Sequence, residues 1–247
     1  NPSGATADQL TLAGGTLNTT ASFNFDDVNR GITLAAAGGT ISVNSGTTLT
    51  IANVIAGPGN LTVSNTGTLA LTAANTFTGI TFANNGILAL GHVNALQNST
   101  LTTATAGNVT FTVAGTNTYS IGGLAGNDTV ALGVNSLRVG SNHETTIFSG
   151  SITGTGGLIK TGNGTLNLTN ANTFSGDTRI EGGMIVLVHA NALQNSTLDT
   201  GDAGTQSANF TLAEGTTYNL GGLKGSADLD LALSHLSVGS NNQSTTF

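Results

Sequence analysis

Gly154-Thr155-Gly156-Gly157-Leu158-Ile159-Lys160-Thr161-Gly162-Asn163-Gly164-Thr165-Leu166-Asn167-Leu168-Thr169 is the stretch that decides the fold. Its last five residues alternate strictly. On a strand, that alternation sends Leu166 and Leu168 to one face and Thr165, Asn167 and Thr169 to the other. The glycine-rich runs Gly154 to Gly157 and Gly162 to Gly164 punctuate it with residues that tolerate the left-handed backbone of a tight corner. The reading is a short strand, a corner and another short strand. Thr47-Thr48-Leu49-Thr50-Ile51 and Thr68-Leu69-Ala70-Leu71-Thr72 alternate in the same way. No stretch carries a 3.6-residue apolar stripe, and 36 glycines spread along the chain would weaken any long helix.

The same stretch has a counterpart 97 residues upstream: Gly57, Gly59, Leu61, Gly67 and Thr68 match Gly154, Gly156, Leu158, Gly164 and Thr165. Downstream the match tightens. Leu69 to Leu101 aligns with Leu166 to Leu198 without a gap, with 20 of 33 positions identical, and ends on a repeated octapeptide, Asn94 to Leu101 and Asn191 to Leu198. Beyond it the offset becomes 99, so the second copy carries two extra residues between Asp199 and Asn209. Val139-Gly140-Ser141-Asn142 then returns as Val238-Gly239-Ser240-Asn241. Self-similarity of this kind marks an array. Three segments are expected: residues 1–46 as a diverged copy or lead-in, 47–146 as a first repeat unit and 147–247 as a second, all in one continuous stretch of a longer polypeptide.

Short strands and tight corners suit a sandwich, a propeller or a parallel β-helix. A propeller would need a blade signature every 40 to 50 residues or so, and none is evident. Strand centres near Leu158, Ile180 and Ser196–Leu198 instead give coils of roughly 20 residues. The expected fold is therefore all-β, a right-handed parallel β-helix (β-solenoid) built from tandem units of 97 to 99 residues. Aromatic positions recur in step: Phe77 with Phe174, Phe111 with Phe210, Phe148 with Phe247, Tyr119 with Tyr218. Such rings fill wider layers of a core; the competing role, a solvent-facing platform for stacking sugars, needs rings aligned along one side.

Composition narrows the partners. Only 7% of residues are charged and the net charge is −7, so Thr, Asn, Ser and Gly supply the polar face, and nucleic acid and anionic membrane are poor partners. The chain has no cysteine, which excludes disulfides and thiolate metal sites. No apolar run approaches the ~20 residues of a membrane helix.

Gly154 to Leu168, leading into Asn172-Thr173-Phe174-Ser175-Gly176, closely resembles the passenger-associated transport repeat, also called the autotransporter-associated β-strand repeat. Gly57 to Gly79 is similar to it but less close, and Leu10 to Leu17 with Asn29 to Ile32 resembles segments that precede such repeats. The resemblance implies a β-helical passenger or stalk of a large secreted or surface-displayed bacterial protein. It says little about activity.

Candidate chemistry is sparse. His92 and His189 are equivalent and, at about 4.8 Å per layer over five coils, would stand ~24 Å apart, too far to share a metal ion. His143 falls opposite Asn242, and His235 opposite Ser136. Asp228 and Asp230 would share a strand face, and Asp26 and Asp27 would not; neither pair brings the oriented partners that acid–base catalysis needs. Asp199 and Asp202 sit in the two-residue expansion, without the ligand spacing of a calcium loop. Gly154 to Gly157 lacks the helix that a dinucleotide turn requires. The Thr rows lack the regular ladder of an ice-binding face, and the sequons at Asn98, Asn195 and Asn209 are what a chain rich in Asn and Thr generates by chance. No catalytic, cofactor-binding or metal residue is assigned, no cofactor is called for, and no enzyme is expected. The expected role is a stalk, fibre or surface-layer component, extracellular or on the bacterial surface. It would associate with neighbouring copies. The alternatives are an adhesin module gripping glycans or cells, with the loop Asp199–Asn209 as its best surface, and a polysaccharide-active enzyme.

Overall fold

The computed structural model describes residues 6–27, 30–201, 207–210, 215–226, 229, 231 and 234–246. The described residues form short strands without a helix, stacked in parallel as a β-solenoid. The chain divides into two compact units, Asn1–Ala114 with Tyr119–Gly122, and Gly115–Thr118 with Gly123–Phe247.

In the first unit one ladder runs through Thr16–Thr19, Gly39–Val43, Leu61–Ser64, the start of Thr81–Leu90 and the middle of Leu96–Phe111. Its register stacks Leu17, Ile41, Val63, Ala83 and Thr103 in one column. A second ladder stacks Phe23, Leu49, Leu69, Leu88 and Val109, with Phe25, Ile51, Leu71, Leu90 and Phe111 beside them. A third pairs Leu10, Ile32 and Ile55. From Leu61 to Thr81 to Leu101 each coil takes 20 residues, whereas Thr16 to Thr40 takes 24. The period-2 pattern builds these columns. In Thr48–Ile51 and Thr68–Leu71 the Leu and Ile side chains are buried, while the threonines and Ala70 between them are partly exposed, and each buried Leu or Ile contributes about 1.5–3 kcal/mol.

The second unit repeats the plan. Ser136–Val139, Leu158–Lys160, Thr178–Ile180, Leu193–Asp199 and Thr217–Lys224 form one ladder, with Leu137, Leu158, Thr178, Leu198 and Leu223 in one column. Thr146–Phe148, Thr165–Leu168, Met184–Leu187 and Ser207–Phe210 form another. The expected centres at Leu158, Ile180 and Ser196–Leu198 all stand in the first of these ladders.

The repeated octapeptide builds a corner. Asn75 is buried on the inside of a turn; its Oδ1 accepts the Ile55 N–H at 2.8 Å and its Nδ2 donates to the Ala95 carbonyl at 2.9 Å. Asn172 does the same in the second copy, accepting from Ile152 at 2.8 Å and donating to Ala192 at 2.9 Å. One amide thus ties a coil to the coil before it and the coil after it. Gln97 and Gln194 return the tie, each donating to the carbonyl of that asparagine at 3.1 and 3.0 Å. Ser99 and Ser196 each donate to a glycine carbonyl, Gly79 and Gly176, at 2.6 Å. A serine hydroxyl has one proton, so Thr81 and Thr178 are the donors in the 2.7 and 2.8 Å bonds to those serines. Buried backbone groups that the strands leave over are thereby satisfied.

Most of the recurring aromatics fill the core: Phe77, Phe174, Phe148, Tyr119 and Tyr218 are buried. Phe111 is half-buried against Tyr119, with ring centroids 4.7 Å apart. Phe247 and the side chain of Phe210 lie outside the described residues.

Lys160 also points inward, between Val139 and Ile180 in the register, and is 1% exposed. Its Nζ donates to the carbonyls of Thr161, Gly162 and Gly182 at 2.5, 3.2 and 3.3 Å. Three protons meet three acceptors. Burial holds the ammonium pKa below the ordinary lysine value.

Candidate functional site

On the ladder that buries Leu137, Leu158, Thr178 and Leu198, the alternate residues face solvent. Register puts Arg138, Ile159, Arg179 and Asp199 in one outward column, and pairs Asp199 with Lys224. Three of the chain's five Lys and Arg residues therefore share one face of five stacked strands.

The charges are tied in two groups. Arg138 forms an ion pair with Glu181, its Nη1 on Oε2, and Arg179 Nε lies 3.8 Å from Glu181 Oε1. Lys224 Nζ lies 2.6 Å from Asp177 Oδ2 and 3.6 Å from Asp199 Oδ2. The hydrogen bond to Asp177 is the main reason the Lys224 pKa lies above the ordinary lysine value; partial burial opposes it, and the charges of Asp177 and Asp199 add to it. Beside these pairs runs an open groove of about 440 Å³, with Gly156, Gly157 and Gly176 along it and Val134, Ile159 and Arg179 at its sides.

The first copy gives an internal comparison. Its outward column is Thr62, Phe82 and Thr102, continued by Thr40 of the lead-in, and carries no charge. At the sequence offset of 97, Asp177, Arg179 and Glu181 correspond to Ile80, Phe82 and Asn84. The same scaffold carries a charged face in one copy and a neutral one in the other. Sequence reading misses these residues when each is weighed alone. Their signal is the alternation, which places Arg138 and Arg179 outward, together with the uncharged Ile80, Phe82 and Asn84 that stand in the first copy where the second has Asp177, Arg179 and Glu181.

The residues singled out from sequence are placed as follows. His92 and His189 are corner residues: each Nδ1 accepts the N–H two residues on, from Asn94 and Asn191, at 3.0 Å. His143 sits at φ +63° and its Nδ1 accepts the Asn163 N–H at 3.1 Å. His235 is exposed in the strand His235–Val238. Asp27 pairs with Arg30 at 3.4 Å. Asp26 and Asp27 line a cleft with Phe23, Phe25 and Arg30, where the two rings meet edge to face at 6.5 Å. Phe23 is 55% exposed, yet it stands over Leu49 at the end of an interior column. Asp199 is brought to Lys224. Asp202, Asp228, Asp230 and the side chain of Asn209 lie outside the described residues. Among the described residues no group of three or more His, Asp and Glu is placed to hold a metal ion. Gly156 is a packing glycine, since a Cβ there would come within 1.6 Å of the Asn135 carbonyl oxygen.

Stacked parallel coils, a corner asparagine in each copy and a core of aliphatic columns define the class: a repeat-built parallel β-solenoid. The chain carries two passenger-associated-transport repeats, at residues 61–90 and 158–187. It is 37% identical over 185 residues to the adhesin BmaC autotransporter of Brucella suis biovar 1 (strain 1330), an alignment covering 72% of this chain and 5% of that protein. The chain thus spans a small fraction of the relative's length. No solved structure matches it.

Proposed function

We propose that this chain is a structural repeat segment of a large bacterial surface protein of the adhesin type, a stalk, fibre or surface-layer component that holds other parts of the chain away from the cell. The supporting observation is the corner itself: one buried asparagine joins three successive coils, in both copies and by the same bonds. Such a fold gains length by adding coils without redesigning a core. The passenger repeats and the adhesin relative support an extracellular location. Copies of the segment associate with neighbouring copies, and light scattering over a concentration series reads that directly. Electron microscopy of the native protein on its own cells, with antibody to this segment, tests the main reading. Label along fibres or a coat is the expected result; label confined to released compact particles would sink it.

A second reading is favoured by the charged face of the second unit. A spacer needs no arrangement of three cations and three carboxylates on one ladder, and the first copy does without it. On this reading the segment also contacts a surface partner there. The loop that follows Asp199 enters this reading only through Asp199 itself, which belongs to that face.

A further inference from the structure

We infer that the groove on the second unit binds a glycan carrying a single carboxylate among its hydroxyls, such as a chain ending in a uronic or sialic acid. The inference rests on the reading of that face as a contact surface. Arg179 carries it. The residue is exposed, and its one ion pair among the described residues is the 3.8 Å approach of Nε to Glu181, which is already engaged by Arg138. Arg179 lines the groove, and among the described residues no partner engages its two Nη groups, which leaves an unoccupied fork of the kind that takes a carboxylate through two parallel hydrogen bonds.

The rest of the groove selects among anions. Arg138, Arg179 and Lys224 are balanced by Asp177, Glu181 and Asp199, so the face is neutral overall. A polyanion gains its affinity from accumulated positive charge, and a neutral face cannot supply that. An acidic peptide would bring several carboxylates against Asp177 and Asp199. An extended peptide also binds by adding to a sheet edge, whereas this groove lies on a ladder face whose backbone groups pair coil to coil. One carboxylate with many hydroxyls fits: the fork takes the acid, while Asp177, Asp199 and the hydroxyls of Ser136 and Thr155 accept from or donate to sugar hydroxyls. Val134, 54% exposed, and Ile159 offer aliphatic surface to the C–H face of a ring. A volume of about 440 Å³ lies within the range of small-ligand sites.

The test presents the 247-residue chain to immobilised oligosaccharide pairs that differ only in one carboxylate, reduced to the alcohol in the control. Binding is expected to the acidic member alone. Arg179→Ala should weaken it at least tenfold, and Arg179→Lys, which keeps the charge and loses the fork, should weaken it as well. The side chain is exposed, so circular dichroism and the urea midpoint of both variants should match the parent. Equal binding to both members of a pair, binding unchanged in Arg179→Ala, stronger binding to a highly sulfated polysaccharide, or no binding at all would each overturn the inference. Cells that display the segment and adhere through it while every pair stays blank would leave the adhesion reading standing and remove this one.

Discussion

Asn172 is 1% exposed and sits where two buried backbone groups have no strand partner, the Ile152 N–H and the Ala192 carbonyl. Only a side chain with a donor and an acceptor on one planar group answers both, which is why the residue at this corner is Asn in each copy. Truncation orphans both groups at about 1–3 kcal/mol each. Asn172→Ala should therefore lose roughly 2–6 kcal/mol in urea unfolding, and Asn75→Ala a similar amount; a loss under about 1 kcal/mol in both would mean that water replaces the amide. The two lysines offer a second test at this scale, with opposite signs. Burial lowers the Lys160 pKa, so between its folded value and 10.5 the unfolded chain binds more protons and stability rises with pH. The Lys224 pKa is raised by Asp177, so its contribution is present below 10.5 and is lost as pH climbs through the folded value above it. Urea midpoints of the parent, Lys160→Met and Lys224→Met should separate accordingly. The gap between the parent and Lys160→Met moves in the parent's favour as pH approaches 10.5 from below, and the parent's advantage over Lys224→Met shrinks above it. Parallel pH profiles for all three would contradict both assignments.

At the scale of strands and corners, glycine does two different things. Gly156 is required by proximity: a Cβ would lie 1.6 Å from the Asn135 oxygen, and the obstacle is backbone that cannot swing away. Gly46 is required only by conformation, with φ +73° and open space around it. Gly46→Ala should cost roughly 1–2 kcal/mol of left-handed strain. Gly156→Ala should cost on the order of 3 kcal/mol or more and reduce the yield of folded protein. Equal urea midpoints for the two variants would show that the coils can spread. Strands are legible in the sequence where alternation is unbroken, as in Thr165–Leu168, because period 2 leaves one solution for which face is buried. The same rule, carried through Leu158-Ile159-Lys160, points Lys160 inward, against the usual preference of lysine for water. Its carbonyl cage comes from Thr161, Gly162 and Gly182, and Gly182 lies one coil later, a contact that sequence spacing does not display. The charged face is hidden for the same reason. Arg138 and Glu181 are 43 residues apart, and Lys224 and Asp177 are 47 apart; only coil register brings them together.

At the scale of the whole chain the governing fact is that, within each unit, the described coils bond to the coils beside them. Stability in such an array is close to a sum of coil terms and nearest-neighbour terms, so damage should stay near its source. Asn172 connects the coils containing Ile152 and Ala192. In Asn172→Ala, native-state hydrogen exchange should accelerate at the Ile152 amide and in the strands that follow Ile152 and Asn172, Leu158–Lys160 and Thr178–Ile180. Amides of the first unit, such as Ile55 beside Asn75, should keep the parent's protection. The mirror experiment, Asn75→Ala, should reverse the pattern. Exchange that rises uniformly in both units from a single corner variant would mean that the chain opens as one cooperative body. Local opening would suit the extending role proposed above, since a lost corner would then leave the neighbouring coils standing.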